Sequence, residues 1–131
     1  MEVPAGTTCQ DVGGTCLDLT FDGEACIYQG PTEVAVGFIA LLFHNTSDGE
    51  AAVNFLELLE EKTIEDVIEY IGEEPATGHH PWWSRERGSW QPIPTGTSQK
   101  WEDNLTPGDY FMVCARVSPL GVWLGTGLTV R

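Results

Sequence analysis

Residues 100–130 read KWEDNLTPGDYFMVCARVSPLGVWLGTGLTV. Two turn signals cut this stretch, Thr106-Pro107-Gly108-Asp109 and the run 118–121. Between them, 110–117 is apolar on both parities, the pattern of a strand covered on both faces. The flanking runs 100–105 and 122–130 read as strands as well. Three successive strands separated by short Pro/Gly turns point to an all-β chain.

The same grammar extends upstream. Leu17, Leu19 and Phe21 alternate with Asp18 and Thr20, giving a half-buried strand that Asp22-Gly23 ends. A short strand over 26–29 follows, stopped by Gly30-Pro31. Residues 37–44 are apolar on both parities and predict a central strand, with a turn at 45–49. The run 50–71 is rich in helix formers, but Thr63 looks like an N-cap and Gly72 like a stop. Ile64, Val67, Ile68 and Ile71 share one helical face. The spacing therefore predicts a strand over 51–59 and a short helix over 64–71. Residues 73–99 carry four prolines and three tryptophans and read as one long irregular loop, a kind of segment that usually binds something or holds itself down with its own aromatics. The expectation is about seven short strands with one inserted helix, a β-sandwich over 16–131. Residues 1–15 are expected to be an N-terminal arm tethered by a disulfide.

The chain has 131 residues, enough for one domain and its core. Six Lys+Arg stand against 20 Asp+Glu, a net charge of −14. A polyanion would be repelled, which argues against nucleic acid and against an anionic membrane surface. The longest apolar run, 36–43, is too short to cross a bilayer as a helix. Cys9, Cys16, Cys26 and Cys114 form no CxxC pair, so neither a zinc ribbon nor a thioredoxin motif is present. An even count in so acidic a chain suits an oxidising exterior. Of three pairings, Cys9–Cys16 with Cys26–Cys114 is favoured; the other reading leaves Cys26 and Cys114 reduced and buried. Export would require a leader removed upstream. A lipid anchor at Cys9 lacks the apolar residues that such a signal needs.

The ending LTPGDYFMVCARVSPLGVWLGTGLTV resembles the last two strands of cupredoxin-like sandwiches, with a Pro-Gly turn, a Tyr, and then a Cys. GPTEVAVGFIALLFHN (30–45) resembles their early strand pair ending in a turn-forming Asn. FDGEACIYQGP, KTIEDVIEYIGEEP and HHPWW resemble small exported prokaryotic proteins of this kind without an assigned activity. The resemblance implies a Greek-key sandwich in an extracellular, periplasmic or cell-surface setting. It also subtracts a function. Cys114 matches the copper-binding Cys, but Ala51-Ala52-Val53-Asn54 stands where the first His belongs, and neither His nor Met follows Cys114. A His₂Cys copper site cannot be assembled from the matching positions. No cofactor is expected.

His79 and His80, beside Glu73 and Glu74, form the candidate metal cluster, against which stands the opposite aim of adjacent side chains in an extended chain. Trp82, Trp83, Trp90 and Trp123 are the candidate contact surface for a protein or carbohydrate. By alternation, Trp123 shares its face with Gly125 and Gly127, opposite Val122, Leu124 and Leu128. Arg85 and Arg87 make a basic spot expected to pair with loop carboxylates. No GxSxG, HExxH or phosphate loop occurs. The reading is a copper-free binding module rather than an enzyme, with a metal-binding loop as the alternative.

Overall fold

The computed structural model describes residues 2–73, 84–89, 92–118 and 121–131. In chain order the strands are β1 (Glu2–Val3), β2 (Cys16–Phe21), β3 (Cys26–Gln29), β4 (Glu33–Val34), β5 (Gly37–Asn45) and β6 (Ala51–Leu58). Then come β7 (Ser84–Ser89), β8 (Ser98–Leu105), β9 (Gly108–Arg116) and β10 (Gly121–Val130). Two helices are described, α1 (Cys9–Val12) and α2 (Ile64–Glu73). The strands form two five-stranded sheets, ordered β1-β8-β5-β2-β3 and β4-β10-β9-β6-β7. The β-sandwich expected from the sequence is the observed fold.

Between the sheets lies one core, contributed by the inward parity of each strand. Leu17, Leu19 and Phe21 of β2 meet Ile39, Leu41 and Phe43 of β5, and face Val53, Phe55, Tyr110, Met112 and Cys114 from the second sheet. β5 and β9 sit in the middle of their sheets, which explains why both read as apolar on both parities. The outer face of the second sheet is covered by α2. Val67 and Tyr70 pack on Leu56, Leu58, Phe111 and Val113, forming a second apolar layer.

The split between strand and helix at 59–63 is real. Glu60 and Glu61 take positive φ of 55° and 59°, which no helix interior allows. Thr63 and Asp66 then bond reciprocally: Asp66 Oδ2 accepts from the Thr63 N–H at 2.7 Å, and the Asp66 N–H donates to Thr63 Oγ1 at 3.4 Å. The Thr63 N–H, and after it the Thr63 hydroxyl at 3.1 Å, donate to the Asp66 carboxyl and hold it below its usual range. The helix runs to Glu73, two residues beyond the expected stop at 71.

Three expectations need correction. The described residues hold ten strands, not about seven, because β1, β4 and β7 carry too few apolar residues to announce themselves. The 73–99 loop is interrupted: β7 pairs with β6 from Leu58↔Ser84 to Asn54↔Ser89, and Ile93 forms a bridge to Ala51. The arm over 1–15 has its Cys9–Cys16 disulfide but is also pinned by β1 to β8.

The turn after β5 is built on Asn45, which is fully buried. Its Nδ2 donates to the carbonyls of Gly49 (2.9 Å) and Ile93 (2.8 Å), and its Oδ1 accepts from Ser47. Asn45 carries a glycosylation sequon, and its burial removes it as an acceptor in the folded chain.

Tyr28 on β3 is half-buried and donates to the Pro31 carbonyl at 2.5 Å. Burial pushes its pKa up to about 12. An unfolded tyrosine ionises near 10, so the stability held by the neutral phenol is present below about pH 10 and lost as pH rises through about 12. A spectrophotometric titration is expected to show a phenol ionising near 12 that Tyr28→Phe abolishes.

Candidate functional site

Cys114 lies on the inward face of β9 and is fully buried. It is bonded to Cys26 of β3, across the gap between the two sheets, with Cα atoms 5.7 Å apart. Among the described residues no cysteine is free. Trp123 stands opposite Cys114 on β10. Its ring packs on Phe21 with centroids 4.9 Å apart, and the Arg116 guanidinium lies 5.2 Å from its centroid. Gly121 makes room for this ring: a Cβ there would come within 2.8 Å of the indole. Trp123 therefore lines the core beside the disulfide, with one face under a cation.

The parity expected for Trp123 is overturned further along the strand. A bulge between Leu124 and Gly127 shifts the register, so Leu128 rejoins Trp123 on the core side while Gly127 falls on the outer side with Leu124. Gly125 sits in this bulge, where a Cβ would come within 2.6 Å of the Met112 carbonyl oxygen.

His44 is the one histidine among the described residues, and it points to the outer face of the first sheet, away from Cys114. Its Nδ1 is 2.7 Å from Ser98 Oγ and its Nε2 is 3.1 Å from Asp18 Oδ2. The trio staples β2, β5 and β8 together. It names the residue types of a hydrolase triad, yet Ser98 is only 3% exposed and offers no approach to an acyl carbon. Sequence reading missed it because the three residues meet only once the strand order β8-β5-β2 is known. The available signal was a lone His ending an otherwise apolar run.

A second polar cluster closes one end of the sandwich. Glu57 points inward from β6 and is 8% exposed. Arg85 donates to its Oε1 at 2.6 Å and 3.2 Å, and Arg87 at 3.4 Å. Hydrogen bonding to Glu57 raises the Arg85 pKa. Arg87 also reaches Asp103 (3.2 Å) and the Asn104 carbonyl (3.1 Å) on β8. Among the described residues the basic spot thus pairs with carboxylates of β6 and β8, and it anchors β7 to both sheets. The carboxylates of Glu73, Glu74 and Glu86, with which it was expected to pair, lie outside the described residues.

A groove of about 500 Å³ lies between α2 and the edge formed by β4 and β10, lined by Ile68, Phe111, Leu124, Thr126 and Glu33 among others. Nothing in the sequence pattern marks it, because its floor is the bulge.

Trp82, Trp83, Trp90, His79, His80 and Glu74 lie outside the described residues, and Glu73 ends α2 with its side chain also outside them. Among the described residues no three His, Cys, Asp or Glu side chains gather as metal ligands. A type 1 copper site does not fit the residues present: the matching sulfur is in a disulfide, and His44 lies across a sheet from it. Nor is any described helix long and apolar enough to cross a membrane.

No known protein family's profile matches the chain, and no curated protein matches it. Solved structures do. Auracyanin from Roseiflexus castenholzii, in a dithionite-reduced form, is 21% identical, with 86% of this chain and 98% of that one covered at a TM-score of 0.49. The "blue" copper protein auracyanin A from Chloroflexus aurantiacus is 17% identical over 91% of this chain and all of that one, at a TM-score of 0.51. At such identity the likeness speaks for architecture, and together with the two packed sheets it shows that this chain has the cupredoxin-like β-sandwich fold.

Proposed function

We propose that the chain is an exported, copper-free cupredoxin-like binding module that does no chemistry of its own. One observation carries this reading: the sulfur at the copper-binding position is sealed in a buried disulfide. A thiolate is needed to hold type 1 copper, and a disulfide supplies none. The two disulfides also favour an oxidising compartment. The contact surface is the 73–99 segment with Trp82, Trp83 and Trp90, which β7 divides and the Glu57 cluster anchors. Trp123, held against Phe21, forms the inner wall near the disulfide rather than an open platform.

The test compares the chain with a triple variant, Trp82→Ala with Trp83→Ala and Trp90→Ala, on a glycan array and against purified cell-surface proteins of the source. Binding by the wild type that the triple variant loses is the expected result. Equal binding by both would remove the loop as contact surface. A rise in the unfolding midpoint with Zn²⁺ or Cu²⁺, abolished by His79→Ala with His80→Ala, would put the metal-binding loop in its place.

A further inference from the structure

We propose that the groove between α2 and the β4–β10 edge docks an extended cationic segment of a partner protein, which adds to the edge of β10. The inference rests on the binding-module reading but uses a surface other than the 73–99 segment. Three independent features meet there.

The first is main chain left without a strand partner. Pairing of β10 with β9 jumps from Leu124↔Val113 to Gly127↔Phe111, so Gly125 and Thr126 have no register partner on that side. On the other side, among the described residues, β10 is paired with β4 only at Thr129 and Val130. Backbone N–H and C=O groups at such a half-buried place need partners. The two residues of β4 show that this edge already accepts a strand, in parallel.

The second is shape. The groove of about 500 Å³ has an apolar floor of Phe111 and Leu124. Its wall is Ile68, an apolar side chain left 48% exposed while Val67 and Tyr70 of the same helix pack on the sheet. Those dimensions suit one or two side chains entering from an extended backbone.

The third is charge. Glu33 lines the groove, and Glu65 lies one turn from Ile68 on the same side of α2, exposed. Arg131 lies 3.4 Å from Glu33 and pairs with it, so the negative bias around the groove rests on Glu65 beside it and on the chain's net −14. A second copy of this chain would bring the same charge and be repelled. A segment alternating Lys or Arg with β-branched residues matches all three features.

The probe is a short fluorescent peptide of alternating Lys and Val, with alternating Glu and Val as control, read by anisotropy and by amide chemical shifts. Expected are binding of the first peptide only and shifts concentrated at 124–127 and 32–33. Ile68→Asp, a change at an exposed site, should weaken binding roughly tenfold, although it adds negative charge. That sign separates docking from general attraction of a polycation. No binding by the wild type, equal or tighter binding by Ile68→Asp, or shifts elsewhere would each overturn the assignment. The triple tryptophan variant should bind the peptide as the wild type does; its loss of binding would overturn the assignment too. The two surfaces therefore fail separately.

Discussion

Replacing Cys26 and Cys114 together by Ala is expected to lower the unfolding free energy by about 4 to 5 kcal/mol. The bond closes a loop with a sequence separation of 88, so its loss returns much conformational freedom to the unfolded chain. It also links β3, at the edge of one sheet, to β9 in the middle of the other. Cys114 is fully buried against Trp123 and Val53, and removing its sulfur adds a void to the entropic loss. Cys9 and Cys16 are only 7 residues apart, and replacing that pair should cost about 2.5 kcal/mol. Urea unfolding of the two double variants measures both. Equal losses would mean that the long loop is not what the second bond restrains.

Glu57→Ala should cost about 2 to 3 kcal/mol, a large effect for a single polar side chain. The carboxylate is nearly buried and accepts from two guanidinium groups. Its removal leaves Arg87, itself 19% exposed, without half of its compensation. Arg87 retains Asp103 and the Asn104 carbonyl, and Arg85 reaches water, so the cost stays below that of stripping a fully enclosed pair. The consequence should be local as well as global: amide exchange over 84–89 should accelerate more than exchange in β5 or β9. Uniform acceleration across the chain would show that Glu57 does not anchor β7.

The two predictions differ in how visible their causes are in the sequence. The strand that carries Cys114 declares itself by the doubly apolar run 110–117, as β2 and β5 do by alternation at 17–21 and by the run 37–44, because burial on one or both faces dictates those patterns. The short strand of Cys26 is read from the Gly30-Pro31 stop. The Cys9–Cys16 pairing, 7 residues apart, and the break before Thr63 rest on equally local signals, and pairing Cys9 with Cys16 leaves Cys26 for Cys114. β7 is different. Ser-Arg-Glu-Arg-Gly-Ser has no apolar alternation, and its pairing depends on main-chain bonds to β6 and on Glu57, 28 residues before Arg85. The bulge at Gly125 and Thr126 is likewise silent, yet it moves Leu128 to the core side and opens the groove. Alternation assumes an unbroken pleat, and one inserted residue reverses every assignment after it. The His44 trio fails for a third reason. Its members are spread from 18 to 98 and converge only through strand order.

The most direct test is peptide mapping by mass spectrometry after alkylation and digestion without reduction. Cys114 should appear only in a species cross-linked to Cys26, with no alkylated form at either position. An alkylated Cys114 would restore a thiolate to the heart of the sandwich and contradict the copper-free reading, and a Cys114 joined to Cys9 or Cys16 would contradict the disulfide framework that links the two sheets.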